Sequence, residues 1–136
     1  YYEPDLQIKL INHLLKLANT SIDISDGLID DLKKLINKQK FSFHIFEEKI
    51  PVSKTLSQLI KNKKLNKINI TTRGDDYQIL FTASRFKSRI IKKISKITGI
   101  KITKIGNIIS GKNRSKIINL KDKQIEAKNK GYIHQF

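Results

Sequence analysis

Two carboxylates and a hydroxyl crowd one short stretch, Ser21-Ile22-Asp23-Ile24-Ser25-Asp26-Gly27-Leu28. Ile22 and Ile24 alternate with Asp23 and Ser25, the period of two expected of a strand with one polar face. From Leu28 onward the spacing turns helical, through Leu32, Leu35 and Ile36. Asp23 and Ser25 therefore share the polar face at a strand end, and Asp26 lies beside a helix start. Oxygen ligands so placed suit a hard divalent cation such as Mg²⁺, which bridges to phosphates. Ser25 is placed to donate to a phosphate oxygen, with help from the helix-start amides. Capping is the simpler reading of Ser25 and Asp26, because Ser and Asp commonly open helices. It leaves Asp23 unexplained.

Two further stretches carry chemistry. Gly74-Asp75-Asp76-Tyr77 sets adjacent acids before an apolar strand, although Gly and Asp are also ordinary turn residues. The tail Gly131-Tyr132-Ile133-His134-Gln135-Phe136 has the aromatic residues to close over a ring-bearing ligand, or simply to dock on the core. His13, His44 and His134 lack metal-ligand spacing. No Walker A sequence or dinucleotide fingerprint is present.

The elements that must position these residues alternate. Leu10, Ile11, Leu14, Leu15 and Ala18 form one stripe of an amphipathic helix over 6–18. The strand at 21–24 follows, then a helix from about Gly27 to Lys38. Phe41–Ile45 alternates as a strand. Ser53 is placed to cap a short helix holding Leu56, Leu59 and Ile60, while 68–70 reads equally as helix or strand. Tyr77–Thr82 is a buried strand. A basic helix spans 85–97, with Phe86, Ile90, Ile91, Ile94 and Ile97 at core spacing, and Gly99 stops it. Residues 101–109 form a strand in which Gly106 marks a bulge or a close approach. Residues 115–120 form its hairpin partner. This order predicts an α/β (α+β) layer structure, a mixed β-sheet covered by helices, as a single domain over 1–136.

Composition narrows the function. The chain has 136 residues, enough for one real core. It has no Cys, which excludes disulfides, thiolate metal sites and cysteine nucleophiles and fits a cytoplasmic protein. No apolar run reaches membrane-span length. It also has no Met, so we expect residues upstream of Tyr1 in the native product. The net charge of +16 admits a nucleic-acid or polyphosphate partner. The Lys residues are dispersed, however, and the aromatics are not interleaved with Arg as a stacking platform needs. Nucleic acid is the weaker reading.

Taken in order, Ile22-Asp23-Ile24-Ser25-Asp26-Gly27-Leu28, Ile50-Pro51-Val52-Ser53, Gly74-Asp75-Asp76-Tyr77-Gln78-Ile79-Leu80-Phe81-Thr82, Ile102-Thr103-Lys104-Ile105-Gly106 and the closing Gly131-Tyr132 resemble thiamine-monophosphate kinase. They resemble its C-terminal domain, of the aminoimidazole ribonucleotide synthetase type. The resemblance implies ATP-dependent, Mg²⁺-dependent phosphorylation of thiamine monophosphate to thiamine diphosphate. It implies that Asp23 and Asp26 ligate Mg²⁺, Ser25 contacts ATP, and Asp75 and Tyr132 contact the thiamine substrate. It also implies an N-terminal domain, absent from this chain, that supplies most ATP and metal ligands and a homodimer interface. The isolated chain is then expected to be inactive.

The match departs in places. The family's usual Gly-Gly-Glu-Asp-Tyr-Glu is here Arg73-Gly74-Asp75-Asp76-Tyr77-Gln78, which shortens the substrate acid by a methylene. Ile133 and Gln135 replace a shorter or more polar pattern. Another synthetase of the same superfamily is the nearer alternative, and a basic RNA-binding module the more distant one.

Overall fold

The computed structural model describes residues 8–36, 40–63, 65–71, 78–121 and 123–125. Helix α1 (Ile8–Leu17) leads into strand β1 (Thr20–Asp23), helix α2 (Leu28–Leu35) and strand β2 (Phe41–Phe46). A 3₁₀ turn at Glu47–Lys49 precedes α3 (Lys54–Lys63) and α4 (Lys67–Thr71). Then come β3 (Ile79–Thr82), α5 (Ser88–Thr98), β4 (Gly106–Ser110), β5 (Lys116–Ile118) and β6 (Gln124–Ile125). Helices and mixed sheets together make the expected α+β architecture. β1 and β3 pair antiparallel as a ribbon, while the second sheet runs in the order β4-β2-β5-β6.

Two apolar cores flank the ribbon. One joins Ile24, Leu28, Ile29, Leu32 and Leu35 to Phe43 and Ile45 of β2, Ile68 of α4 and Ile117 of β5. The other joins Leu10, Leu14 and Leu17 of α1 to Ile94 of α5. Strand alternation divides the ribbon between them. Ile22 and Leu80, opposite one another, pack on the first core. Ile79 and Phe81 pack on the second. Side chains directly opposite in an antiparallel pair share a face, so Ser21 and Asp23, opposite Phe81 and Ile79, lie on the α1 side.

Local capping follows the sequence. The Ser53 hydroxyl accepts from the Leu56 N–H at 3.1 Å. Asn66 Oδ1 accepts from the Ile68 N–H at 2.9 Å, which resolves 68–70 as helix. Ser84 caps the turn before α5, and Gly99 ends α5 at φ 72°.

Three expectations are corrected. β5 is not the hairpin partner of β4: it pairs parallel with β2, while β4 pairs antiparallel on the opposite edge of β2. The strand with the deepest apolar alternation takes the centre and splits the hairpin. The connection is strapped across it by the buried Ser42, whose hydroxyl donates to Gly111 O at 2.6 Å and accepts from the Arg114 N–H at 3.0 Å. The second correction concerns helix faces. α1 buries Leu10, Leu14 and Leu17, leaving Ile11 and Leu15 exposed; α5 exposes Ile90 and Ile97, and Phe86 is exposed in the 3₁₀ turn before it. Each helix has apolar residues on more of its circumference than the ribbon and its partner helix cover. Third, the strand predicted over 101–109 is regular only from Gly106, and runs to Ser110.

Gly106 is the close approach that its position suggested. A Cβ there would collide with the backbone oxygen of His44 and lie 2.7 Å from Ile45 Cδ1. Gly106→Ala is expected to cost about 1–3 kcal/mol by overpacking, read as a lower midpoint in thermal denaturation. An unchanged midpoint refutes the close approach.

Candidate functional site

The strand-to-helix turn is built around a residue outside the acid cluster that drew attention to it. Asp31, in the first turns of α2, is fully buried at 0% exposure. Its Oδ2 accepts three consecutive backbone N–H groups: Ser25 at 2.9 Å, Asp26 at 3.0 Å and Gly27 at 3.2 Å. Gly27 is the N-cap residue at φ 116° and ψ 148°, a region open essentially to Gly alone. Its carbonyl accepts the first helical bond, from the Asp31 N–H at 3.0 Å. The chain thus passes from extended to helical backbone within three residues, with the amides of the bend aimed at one carboxylate.

This corrects the capping reading. The N-cap residue of α2 is Gly27, not Ser25 or Asp26. The N–H groups of Ser25, Asp26 and Gly27 are satisfied internally by Asp31, so a phosphate at Ser25 would meet its hydroxyl and not these amides. Asp31 was legible only as an acid favourable near a helix N-terminus. The signal that would have found it is its spacing, four residues after a Gly that opens a helix, within reach of the amides just upstream.

Asp26 is anchored by Lys34. The Lys34 ammonium contacts Asp26 Oδ2 and lies 2.8 Å from Asp31 Oδ1. Hydrogen bonding to Asp26, then to Asp31, holds the ammonium above the ordinary lysine range. Raised in the folded state, this group contributes stability that is fully present below the usual lysine pKa and is lost only as pH climbs through the elevated one. The pair is therefore constant across neutral pH.

Asp23 closes β1 with an exposed side chain. Ile24 between the two acids is buried in the first core, and its N–H bonds Gln78 O at 2.9 Å, fixing the strand end to β3. Ser25 is half-buried. Among the described residues, no group of three or more His, Cys, Asp or Glu side chains is placed to hold a metal. Two carboxylates nonetheless fit Mg²⁺, which takes one or two protein carboxylates and completes its shell with water and substrate phosphate. A shallow groove of about 490 Å³ runs between α1 and β1, walled by Ile11, Leu14 and Leu15 with Ser21 and Asp23 on the strand side. Of the described candidate residues only Asp23 reaches it. Asp75, its neighbour Asp76, and Tyr132 lie outside the described residues.

No family model matches the sequence. A thiamine-monophosphate kinase of Buchnera aphidicola subsp. Acyrthosiphon pisum is 35% identical over 123 residues, 89% of this chain and 37% of its own length. That of Aquifex aeolicus is 36% identical over 83 residues, 60% of this chain and 27% of its own. Among solved structures, AaThiL complexed with AMPPCP and TMP superposes at a TM-score of 0.70 with 28% identity, covering 97% of this chain and 38% of its own. The chain is a homologue of the thiamine-monophosphate kinases. It spans less than two-fifths of the length of these kinases, and its α+β fold is theirs over the matched region.

In this thiamine-monophosphate kinase homologue, removal of the Asp31 carboxylate leaves the turn's amides unpaired in a buried place. Hydrogen bonds to charged groups contribute about 1.5–3 kcal/mol, and orphaned buried donors add their desolvation cost. Asp31→Ala is expected to destabilise by about 3 kcal/mol or more, measured by urea denaturation. A loss under about 1 kcal/mol would reduce Asp31 to an ordinary first-turn acid.

Proposed function

We propose that this chain is the C-terminal domain of an ATP-dependent, Mg²⁺-dependent thiamine-monophosphate kinase. The observation that carries this reading is the fold match at a TM-score of 0.70 to AaThiL complexed with AMPPCP and TMP. The 35% identity to the Buchnera kinase over 89% of the chain supports it. In the reaction, an oxygen of the thiamine-monophosphate phosphate bonds to the γ-phosphorus of ATP as the bond to the ADP oxygen breaks. Such transfer depends on alignment and charge neutralisation more than on a protein nucleophile. That matches a turn rich in carboxylates.

In this reading Asp23 and Asp26 hold Mg²⁺, which when bound neutralises phosphate charge. The Ser25 hydroxyl donates to ATP. Asp75 and Tyr132 contact the thiamine substrate. The ligands that this chain lacks come from the remaining three-fifths or so of the parent, in accord with the 37% coverage of the Buchnera relative. That part also carries the homodimer contact, and the enzyme works in the cytoplasm, a reading that the absence of Cys supports.

The test is thiamine diphosphate formation by the complete kinase. Asp26→Asn is expected to lower kcat about 100-fold or more, the scale seen when one charge-stabilising group is removed from an active site. An unchanged rate would leave Asp26 as nothing more than the partner of Lys34. The isolated 136-residue chain is expected to show no turnover; measurable thiamine diphosphate from it alone would sink the half-site reading.

A further inference from the structure

We infer that Asp31 is the positioning residue of this site, fixing the Ser25–Gly27 backbone directly and the Asp26 carboxylate through Lys34. The inference rests on the proposed roles of Asp26 and Ser25. Its own basis is a closed set of contacts. Asp31 Oδ2 receives the N–H groups of Ser25 and Asp26 at 2.9 and 3.0 Å, so the backbone of both residues is pinned to one atom. Asp31 Oδ1 receives Lys34 Nζ at 2.8 Å, and the same ammonium grips Asp26 Oδ2. Asp26 is thus held at both ends, by its amide and by its head group, and both constraints converge on one fully buried carboxylate.

A cap alone would not require this arrangement. The bonds to Ser25 and Asp26 lie upstream of the helix, and the Lys34 link satisfies no backbone group. What the extra contacts determine is where a hydroxyl and a carboxylate stand. Reactive geometry tolerates errors of only about 0.5 Å, so a ligand on a short turn needs such support. A carboxylate offers about four lone-pair sites, so an ion pair through Oδ2 is compatible with ligation by the same group.

The experiment uses the complete kinase and two readouts: the Mg²⁺ concentration giving half-maximal binding of AMPPCP, and steady-state kinetics. Asp31→Asn keeps the side-chain shape but loses the ion pair and one acceptor oxygen. It is expected to raise the Mg²⁺ midpoint about tenfold or more and to lower kcat about 10–100-fold, the range for residues that orient metal ligands. KM for thiamine monophosphate should stay within about twofold, because the substrate contacts are assigned to other residues, Asp75 and Tyr132. A folded Asp31→Asn enzyme with the wild-type midpoint and kcat overturns the inference.

Where Asp31→Asn does not fold, Lys34→Met decides, since the Lys34 side chain is half exposed and its loss leaves the amide bonds to Asp31 in place. Its Mg²⁺ midpoint is expected to rise about threefold, below the full effect of losing an orienting residue. A midpoint unchanged or lowered shows that Lys34 does not orient Asp26 toward the ion and overturns the inference. Asp26→Asn separates this failure from failure of the underlying reading. If it too binds AMPPCP at the wild-type Mg²⁺ midpoint, Asp26 is no metal ligand and the positioning role falls with it. If Asp26→Asn is impaired and Asp31→Asn is not, only the positioning role is lost.

Discussion

One buried carboxylate sets the geometry on which the rest of this chain's candidate chemistry depends. Passing from strand to helix in three residues leaves the N–H groups of the bend without ladder or helical partners, and buried orphans of that kind are costly. Asp31 meets three of them with a single oxygen. Burying an ionised acid is itself unfavourable unless its lone pairs are satisfied. Here the amides saturate one oxygen and Lys34 binds the other. The arrangement is mutually supporting: the carboxylate satisfies the amides of the bend, the glycine admits the bend, and the lysine binds the second carboxylate oxygen. Gly27 belongs to it because its backbone conformation at φ 116° admits almost no other residue.

The turn is also anchored from both sides by packing. Ile24 immediately before it, and Leu28, Ile29, Leu32 and Leu35 after it, sink into the same core as Phe43 and Ile45 of β2. The β1–β3 ribbon then orients the exit. Because the ribbon shows Ile22 and Leu80 to that core and Ile79 and Phe81 to the other, Asp23 falls on the face opposite to Ile22, at the mouth of the groove beside α1. Alternation alone puts an apolar residue between the two acids, so the first acid ends a strand and the second opens a bend. They differ accordingly: Asp23 is exposed to solvent, and Asp26 is tied to Lys34.

Much of this was legible in the residues, and what was not has a physical cause. Period and punctuation located β1, α2, β2, β3 and α5, because Ile24 to Leu28 changes period abruptly and Gly99 terminates a helix in the left-handed conformation. Pairing was not legible. β4 and β5 look like a hairpin because a turn joins them, yet β2, which sends Phe43 and Ile45 into the core, takes the place between them. Helix faces were legible only in part. α1 and α5 carry apolar residues on more than one face, and pattern cannot say which side meets the ribbon when Leu14 and Leu15 are equally apolar. The acid cluster was found, but its organiser was not, because Asp31 acts through backbone amides that have no signature of residue type.

That last point bears on how Ser25 and Asp26 should be understood. Polar residues before a helix ordinarily invite the capping explanation, and it would have sufficed here. The structure assigns capping to Asp31 instead, from inside the helix and through the backbone. A side chain that caps must turn back onto its own helix, whereas one with no capping role can project from the bend. The backbone of Ser25 and Asp26 is held by Asp31, and the Asp26 carboxylate is paired with Lys34. A backbone held in this way, bearing a hydroxyl and a carboxylate, has the preorganisation that a site for a phosphate-bearing ligand requires. The acid that looked like an ordinary first-turn residue organises the bend, and Ser25 and Asp26 are held by it without either being the N-cap residue.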